Sequence, residues 1–344
     1  MQPDFSPSDS EGENTMGKFD RKFQAIASLE AMPDHEKPRW WKDLLSLWQP
    51  SGNANSEQTL RLAVRNNYLN FYLKGQSVAR VDIDRYGKIR TSVHVRYASQ
   101  GAPGEGYAKL TDVDINIPGV DAPRPYIGLE TLREWMDEAK KRTGQVEKSL
   151  IEKVVKENSS VIDLEMGLPA YPGKPIKLGN DNPSADRIDI VTLEPLHKGA
   201  QIVFWEAKWA GARGDLVASG DATPKIVGQL KRYTAYLVDD FRCKEIVSAY
   251  REACRLMVKF AKMAEQIDGV PRALDPLIGQ FVNESIEVSV NTTPQLLIFG
   301  KPEDFDRDNW KMHRAKLTEV HKVNLHEVIN GTGEIKLRAK GDTL

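Results

Sequence analysis

Cysteine is almost missing from this chain: Cys243 and Cys254 are the only two in 344 residues. Both fall on one stretch of helical periodicity, too far apart along it to meet. No disulfide framework is therefore expected, and the count suits a reducing cytoplasm. An excess of charge is missing too. With 48 Lys and Arg against 49 Asp and Glu, the formal net charge is -1, so no molecule-wide field draws in a polyanion, and a nucleic-acid ligand needs a local basic surface. No apolar run approaches the length of about eighteen residues that a membrane-crossing helix needs. A basic-then-apolar start is also lacking, so neither a membrane partner nor secretion is expected. Histidine is scarce, at 6 residues. His313, His321 and His326 have no Cys companion and no His-Glu-x-x-His spacing, which argues against zinc, and no Ser-His-Asp set can be assembled. The segment GAPGEGYAK lacks the Gly-Lys-Ser/Thr ending of a phosphate-cradling loop.

What is present divides the chain into three parts. Residues 1–15 are acidic and rich in Pro and Ser and read as a disordered tail; without them the remainder is slightly basic. Residues 16–127 read as an N-terminal helical segment followed by an antiparallel β domain. Phe19, Phe23 and Ile26 mark one helical face, and WWKDLLSLW makes a second helix whose Trp40, Trp41 and Trp48 are expected in the core rather than as a base-stacking surface. From Thr59 to Tyr97 the period changes to two, with turn signals at Asn66-Asn67, Lys74-Gly75 and Arg85-Tyr86-Gly87, which predicts a meander of about four strands. Arg61, Arg65, Arg80, Arg90 and Arg96 are expected as solvated charge on its outer face. Residues 98–127, dense in Gly and Pro, read as a long loop. The remainder, 128–344, opens with the helix GLETLREWMDEAKKR and carries the chemistry.

Two apolar strands are the focus of that part. QIVFWEAKWA puts Glu206 and Lys208 two residues apart, on one face of a strand. RIDIVTL carries Asp189 between Ile188 and Ile190, and the turn-rich EPLHKGA returns the chain as a hairpin, which brings Asp189 and Glu206 to one place. Two hard oxygen donors, with water and a phosphate filling the other positions, suit Mg²⁺ at a phosphoryl-transfer site. Lys208 would orient or deprotonate the attacking water and offset charge on phosphorus. Asp186 is a rival ligand to Asp189.

The Asp189, Glu206-x-Lys208 arrangement resembles the PD-(D/E)XK nuclease superfamily. The resemblance covers Glu147 to the strand PQLLIFG, 294–300. It implies a mixed α/β (α+β) fold with a restriction-endonuclease-like αβββαβ core behind the β-meander-containing domain. It also implies roles for Gln229 and Tyr233, which match the family's QxxxY helix, and for Glu147, which matches the glutamate of its first helix. On that helix Glu147 shares a face with Leu150, Ile151, Val154 and Val155, whereas Glu152 is expected to face solvent. The family's proline before the Asp is absent here. The long helix around 243–267 reads as an insertion serving as a lid, a dimerisation face or core packing. The activity implied is a Mg²⁺-dependent endonuclease, with Mn²⁺ able to substitute, in which Asp189, Glu206 and Glu147 hold metal. It would cut DNA rather than RNA to leave 5′-phosphate ends, in the manner of bacterial anti-phage or restriction effectors that pair this fold with a recognition or sensing domain. Lys174, Lys177, Arg213 and Lys225 are further candidates for contacting the strand. The alternative is a non-cleaving nucleic-acid-binding or structural subunit on the same fold, as a homo-oligomer or with a partner subunit.

Overall fold

A computed structural model describes residues 18–53, 59–98, 106–142, 146–169, 186–211, 213–218, 220, 222–329 and 335–339. The acidic tail 1–15, the connection 172–185 with Lys174 and Lys177, and the side chain of Arg213 lie outside the described residues.

The helix expected from Phe19 starts only at Ile26, because Lys22 bridges Asn66 of the meander and holds the preceding chain extended; Phe19 and Phe23 are still buried, and α1 (Ile26–Ala31) and α2 (Arg39–Leu47) follow. Pro38 and Pro50 bracket α2, and between them Trp40, Trp41, Leu44, Leu45 and Leu47 form a buried stripe at helical spacing. Trp41 meets Phe71 and Phe260 edge-on, so the tryptophans are core, as expected. The meander follows: β1 (Arg61–Val64), β2 (Tyr68–Leu73), β3 (Gln76–Ile83) and β4 (Ile89–His94). Between Leu73 and Gln76 both turn residues take positive φ, Lys74 at 48° and Gly75 at 70°, the two-residue turn that matches strand twist.

After α3 (Val95–Ala98), three more strands continue the antiparallel order: β5 (Tyr107–Leu110), β6 (Asp114–Asn116) and β7 (Arg124–Pro125). The expectation of a loop is therefore wrong from Tyr107 to Pro125, while residues 99–105 lie outside the described residues. The strands are short enough for the surrounding Gly and Pro to mask their alternation, while Ala108, Leu110, Ile115 and Ile117 still point into the core. Helix α4 (Leu129–Arg142) packs Leu132, Trp135 and Met136 against this sheet. A division at 127 thus separates α4 from the surface it covers.

The second sheet has mixed pairing. Helix α5 (Val146–Glu157) leads into β8 (Val161–Gly167), β9 (Arg187–Leu196) and β10 (Gly199–Trp209), an antiparallel run. The β9–β10 turn closes at Leu196 and Gly199. Gly199 sits at φ 101°, and a Cβ there would stand 2.2 Å from the Glu287 carbonyl oxygen, so only glycine fits. Next come α6 (Arg213–Leu216), α7 (Lys225–Leu237), α8 (Asp240–Asp268) and α9 (Pro276–Val282). β11 (Val288–Val290) and β12 (Gln295–Gly300) then pair in parallel with the two halves of β10. Two short helices, α10 (Pro302–Phe305) and α11 (Asp308–Ala315), lead through a π-helical turn to the edge strand β13 (Asn324–Ile329). Ile335–Ala339 is held by side chains instead of a strand ladder. Glu157, Asn158 and Glu194 accept its backbone N–H groups from Ile335, Leu337 and Ala339.

Helix α8 is packed, not a lid. Asp239 caps its start and Gly269 ends it in the left-handed conformation. Phe260 reaches Trp41, and Tyr250 reaches Phe19, so one continuous apolar core joins the N-terminal helices to the second sheet. The two free cysteines, Cys243 and Cys254, lie on it. Among the described residues no helix is long and apolar enough to cross a membrane.

Two of the arginines expected in solvent are buried. Arg61 donates to Glu152 Oε1 through Nε at 3.2 Å and Nη2 at 3.1 Å. Arg65 donates to Asp163 Oδ1 at 2.7 Å. Glu152 is correspondingly buried rather than solvent-facing. Strand alternation and the helical wheel locate a face but not what later packs against it, and here β1 lies against β8 and α5.

Candidate active site

Strand register creates the site. The last paired residues of β9 and β10 are Ile190 and Trp205, and the next step along each strand is Asp189 and Glu206. Asp189 Oδ2 accepts a hydrogen bond from the Ala207 backbone N–H at 2.8 Å, which ties it to the strand that carries Glu206 and Lys208. Glu206 is only 2% exposed. Its Oε1 accepts from Lys208 Nζ at 2.5 Å and from Gln229 Nε2 at 2.8 Å, and its Oε2 accepts from the Tyr233 hydroxyl at 3.0 Å.

The helical contribution comes from α7, where Ile226, Val227, Leu230, Tyr233 and Leu237 are buried at helical spacing. One turn separates Gln229 from Tyr233, so both project to the same place, and Gln229 Nε2 also lies 2.6 Å from the Tyr233 oxygen. The Tyr233 oxygen is 2.5 Å from the Arg187 carbonyl, the start of β9. This hydroxyl therefore bridges both strands of the hairpin.

Electrostatics set the site apart. Burial, then the neighbouring Glu206 carboxylate, pushes Asp189 well above the usual carboxylate range, and Lys208 opposes this only in part. Glu206 is also raised by burial, although Lys208 and Tyr233 favour its ionised form. Glu147, on the first turn of α5, is raised by burial; Lys208 and the Trp209 backbone N–H counteract, while Asp215 and Glu165 add to the rise. Burial alone would lower the Lys208 ammonium, but Glu206, Asp189 and Glu147 outweigh it and hold the proton on. Tyr233 is raised by burial and by Glu206 and remains a hydroxyl donor. One ammonium thus serves three carboxylates.

Six expected residues thus stand in one neighbourhood, Glu147 linked to the others through Lys208 and Trp209. Asp186 does not join them: Arg232 grips both of its oxygens, at 3.1 and 3.2 Å. One residue missed from the sequence is Glu165 on β8. It raises both Asp189 and Glu147, lies 3.9 Å from Lys148 Nζ and holds φ at 52°, a conformation unusual for a side chain of its kind. With Lys148, Tyr72 and Gly75 it walls a narrow crevice that reaches Asp189. The acidic alternation Asp163, Glu165 in VIDLEMG was the available signal.

Among the described residues no group of three or more His, Cys, Asp and Glu side chains stands in metal-holding geometry. The donor chemistry nevertheless fits a hard divalent cation. Asp189 and Glu206 are adjacent carboxylates whose mutual repulsion is only partly relieved, and Mg²⁺ is commonly held by one or two carboxylates with water completing its shell. Neither a protein-family model, nor a curated protein, nor a solved structure matches this chain.

Proposed function

We propose that this chain is a Mg²⁺-dependent nuclease with a restriction-endonuclease-like core, hydrolysing phosphodiester bonds in DNA in preference to RNA. The order α5, β8, β9, β10, α7, β12, with an antiparallel hairpin and a parallel fourth strand, supports the fold assignment. The observation that carries the functional reading is the bracing of one buried carboxylate, Glu206, by Lys208, Gln229 and Tyr233, with Asp189 joined across the hairpin.

In this reading Asp189 and Glu206 hold the cation, with Glu147 as the third carboxylate. A bound Mg²⁺, or Mn²⁺ in its place, supplies Lewis-acid polarisation and a water of lowered pKa. Gln229 and Tyr233 fix the Glu206 rotamer, so its oxygens need no reorganisation when substrate arrives. Lys208 retains its proton in the metal-free protein, which favours orienting the nucleophilic water and countering charge on the phosphate over removing a proton.

The test is incubation with supercoiled plasmid, linear duplex, single-stranded DNA and RNA, in Mg²⁺, Mn²⁺ or EDTA. Wild type should nick DNA only with cation. Asp189→Ala and Lys208→Ala should each lose about a hundredfold or more, and cutting by both at the wild-type rate removes the reading. The non-cleaving alternative draws on one observation, that Lys208 already pairs with Glu206; it expects cation-independent binding and no product.

A further inference from the structure

Between the first sheet and the start of the second lies an open cleft of about 610 Å³ that borders the candidate active site without being part of it. Its floor includes the non-core face of β2 and β3, where the register sets Asn70 opposite Arg80. Two kinds of side chain line the cleft. Tyr68, His94 and Tyr107 offer rings: Tyr107 is 54% exposed, His94 meets it edge-on at 5.4 Å, and Arg80 lies over Tyr68 at 4.0 Å. Arg80, Arg96 and Arg187 offer guanidinium groups. Arg80 also pairs with Asp82, whereas Arg96 and Arg187 make no ion pair among the described residues. The two acidic residues of the lining already face cations, Asp20 with Lys22 and Glu165 with Lys148.

The far end of the cleft meets the crevice that reaches Asp189, and Tyr72, Gly75, Lys148 and Glu165 line both. We propose that this cleft binds an unpaired polynucleotide strand, stacking bases on Tyr107 and on the Arg80–Tyr68 pair and holding phosphates with Arg96 and Arg187, with Lys148 at the end nearest Asp189. The choice of an unpaired strand follows from the mixture of groups. A duplex keeps its base faces stacked inside and turns sugar and phosphate outward, so rings on a protein surface have nothing to stack on; an unpaired strand presents base faces and phosphates together. The inference rests on the nuclease reading for its direction toward Asp189, but not for binding.

Binding is therefore measured apart from cutting. The full chain is titrated in EDTA against fluorescein-labelled oligo-dT, oligo-U and a duplex of equal length, read by anisotropy at several salt concentrations. Both single strands should bind about tenfold or more tighter than the duplex. Tyr107→Ala and Arg96→Ala should each weaken single-strand binding by about tenfold, and Arg96→Ala should lower the slope of log affinity against log salt by about 0.7. Both side chains are exposed, so thermal melts should match wild type, and Arg96→Lys should restore the salt slope. Equal affinity for duplex and single strand overturns the proposal, as does wild-type binding by both alanine variants. Single-strand binding without any cleavage in Mg²⁺ keeps the cleft and removes the nuclease.

Discussion

Asp163 and Asp189 lie on neighbouring strands, β8 and β9, in largely apolar surroundings, and the protein treats them in opposite ways. Asp163 is fully provided for. Its Oδ1 accepts from Arg65 at 2.7 Å and from the Leu164 N–H at 2.8 Å, and its Oδ2 accepts from the Tyr250 hydroxyl at 3.0 Å and Arg21 Nε at 3.4 Å. Two guanidinium groups face one carboxylate. Asp189 has one backbone N–H, a second carboxylate beside it, and a share in a single ammonium. The first arrangement locks β1 and α8 onto β8. The second makes ionising both carboxyl groups costly in the empty protein and favours a ligand that brings positive charge.

The widest separation between the two should appear in stability. Asp163→Asn leaves Arg21 and Arg65 buried without their counter-charge and should destabilise by roughly 3–5 kcal/mol. Asp189→Asn relieves repulsion and should stabilise the cation-free protein by on the order of 1 kcal/mol. Urea melts in EDTA compare them directly. Equal destabilisation by both would mean that Asp189 is a structural aspartate like Asp163.

Cation and pH sharpen the same contrast. Asp189, Glu206 and Glu147 are all raised in the folded state, so the folded protein keeps protons that the unfolded chain has released. The contribution of these three groups to stability in EDTA should accordingly be largest at low pH and fall as pH rises from about 4, the ordinary carboxylate range, through the raised folded values; it is read as the difference between wild type and Asp189→Asn. Lys208 acts only at the alkaline end: its raised value adds stability throughout the neutral range that is lost above it. Mg²⁺ at a hundredfold excess over its Kd should return about 2.7 kcal/mol, more at pH 8 than at pH 5, and nothing in Asp189→Asn. Thermal melts with and without Mg²⁺ at the two pH values check this.

A smaller effect is expected at Tyr233, whose hydroxyl joins Glu206 and the Arg187 carbonyl. Tyr233→Phe should cost about 1–3 kcal/mol, the range for a buried group left unsatisfied. It should also slow cleavage without changing oligonucleotide binding, which a combined anisotropy and product assay can separate.

The parts of this contrast that were legible in the sequence are those encoded locally. Two-residue spacing put Glu206 beside Lys208, four-residue spacing put Gln229 beside Tyr233, and the hairpin aligned Asp189 with Glu206. Partnerships across the chain were not legible. Arg61 and Glu152 are far apart in sequence, as are Arg65 and Asp163, and each looks like a surface charge until β1 lies against β8 and α5. Glu165 left a trace in the alternation Asp163, Glu165, but that pattern does not tell which carboxylate is matched by guanidinium groups, Asp163 by Arg21 and Arg65, and which acts on Asp189. Strands β5 to β7 were hidden by the turn residues that separate them.

Asp186 provides the finest comparison, since it lies three residues before Asp189 and competes with it as a cation ligand on sequence alone. In the structure its two oxygens accept from Arg232 Nε and Nη2, and the Arg232 side chain is 39% exposed, so water screens the pair. An ion pair of this kind contributes about 0.2–1 kcal/mol. Asp186→Asn should therefore shift the urea midpoint by less than any substitution above, in the destabilising direction, and leave the cation-dependent rise in melting temperature intact. Asp189→Asn should do the reverse on both counts. A loss of the Mg²⁺ response in Asp186→Asn, with retention in Asp189→Asn, would move the cation from the Glu206 side of the hairpin to the Arg232 side and exchange the roles of the two aspartates.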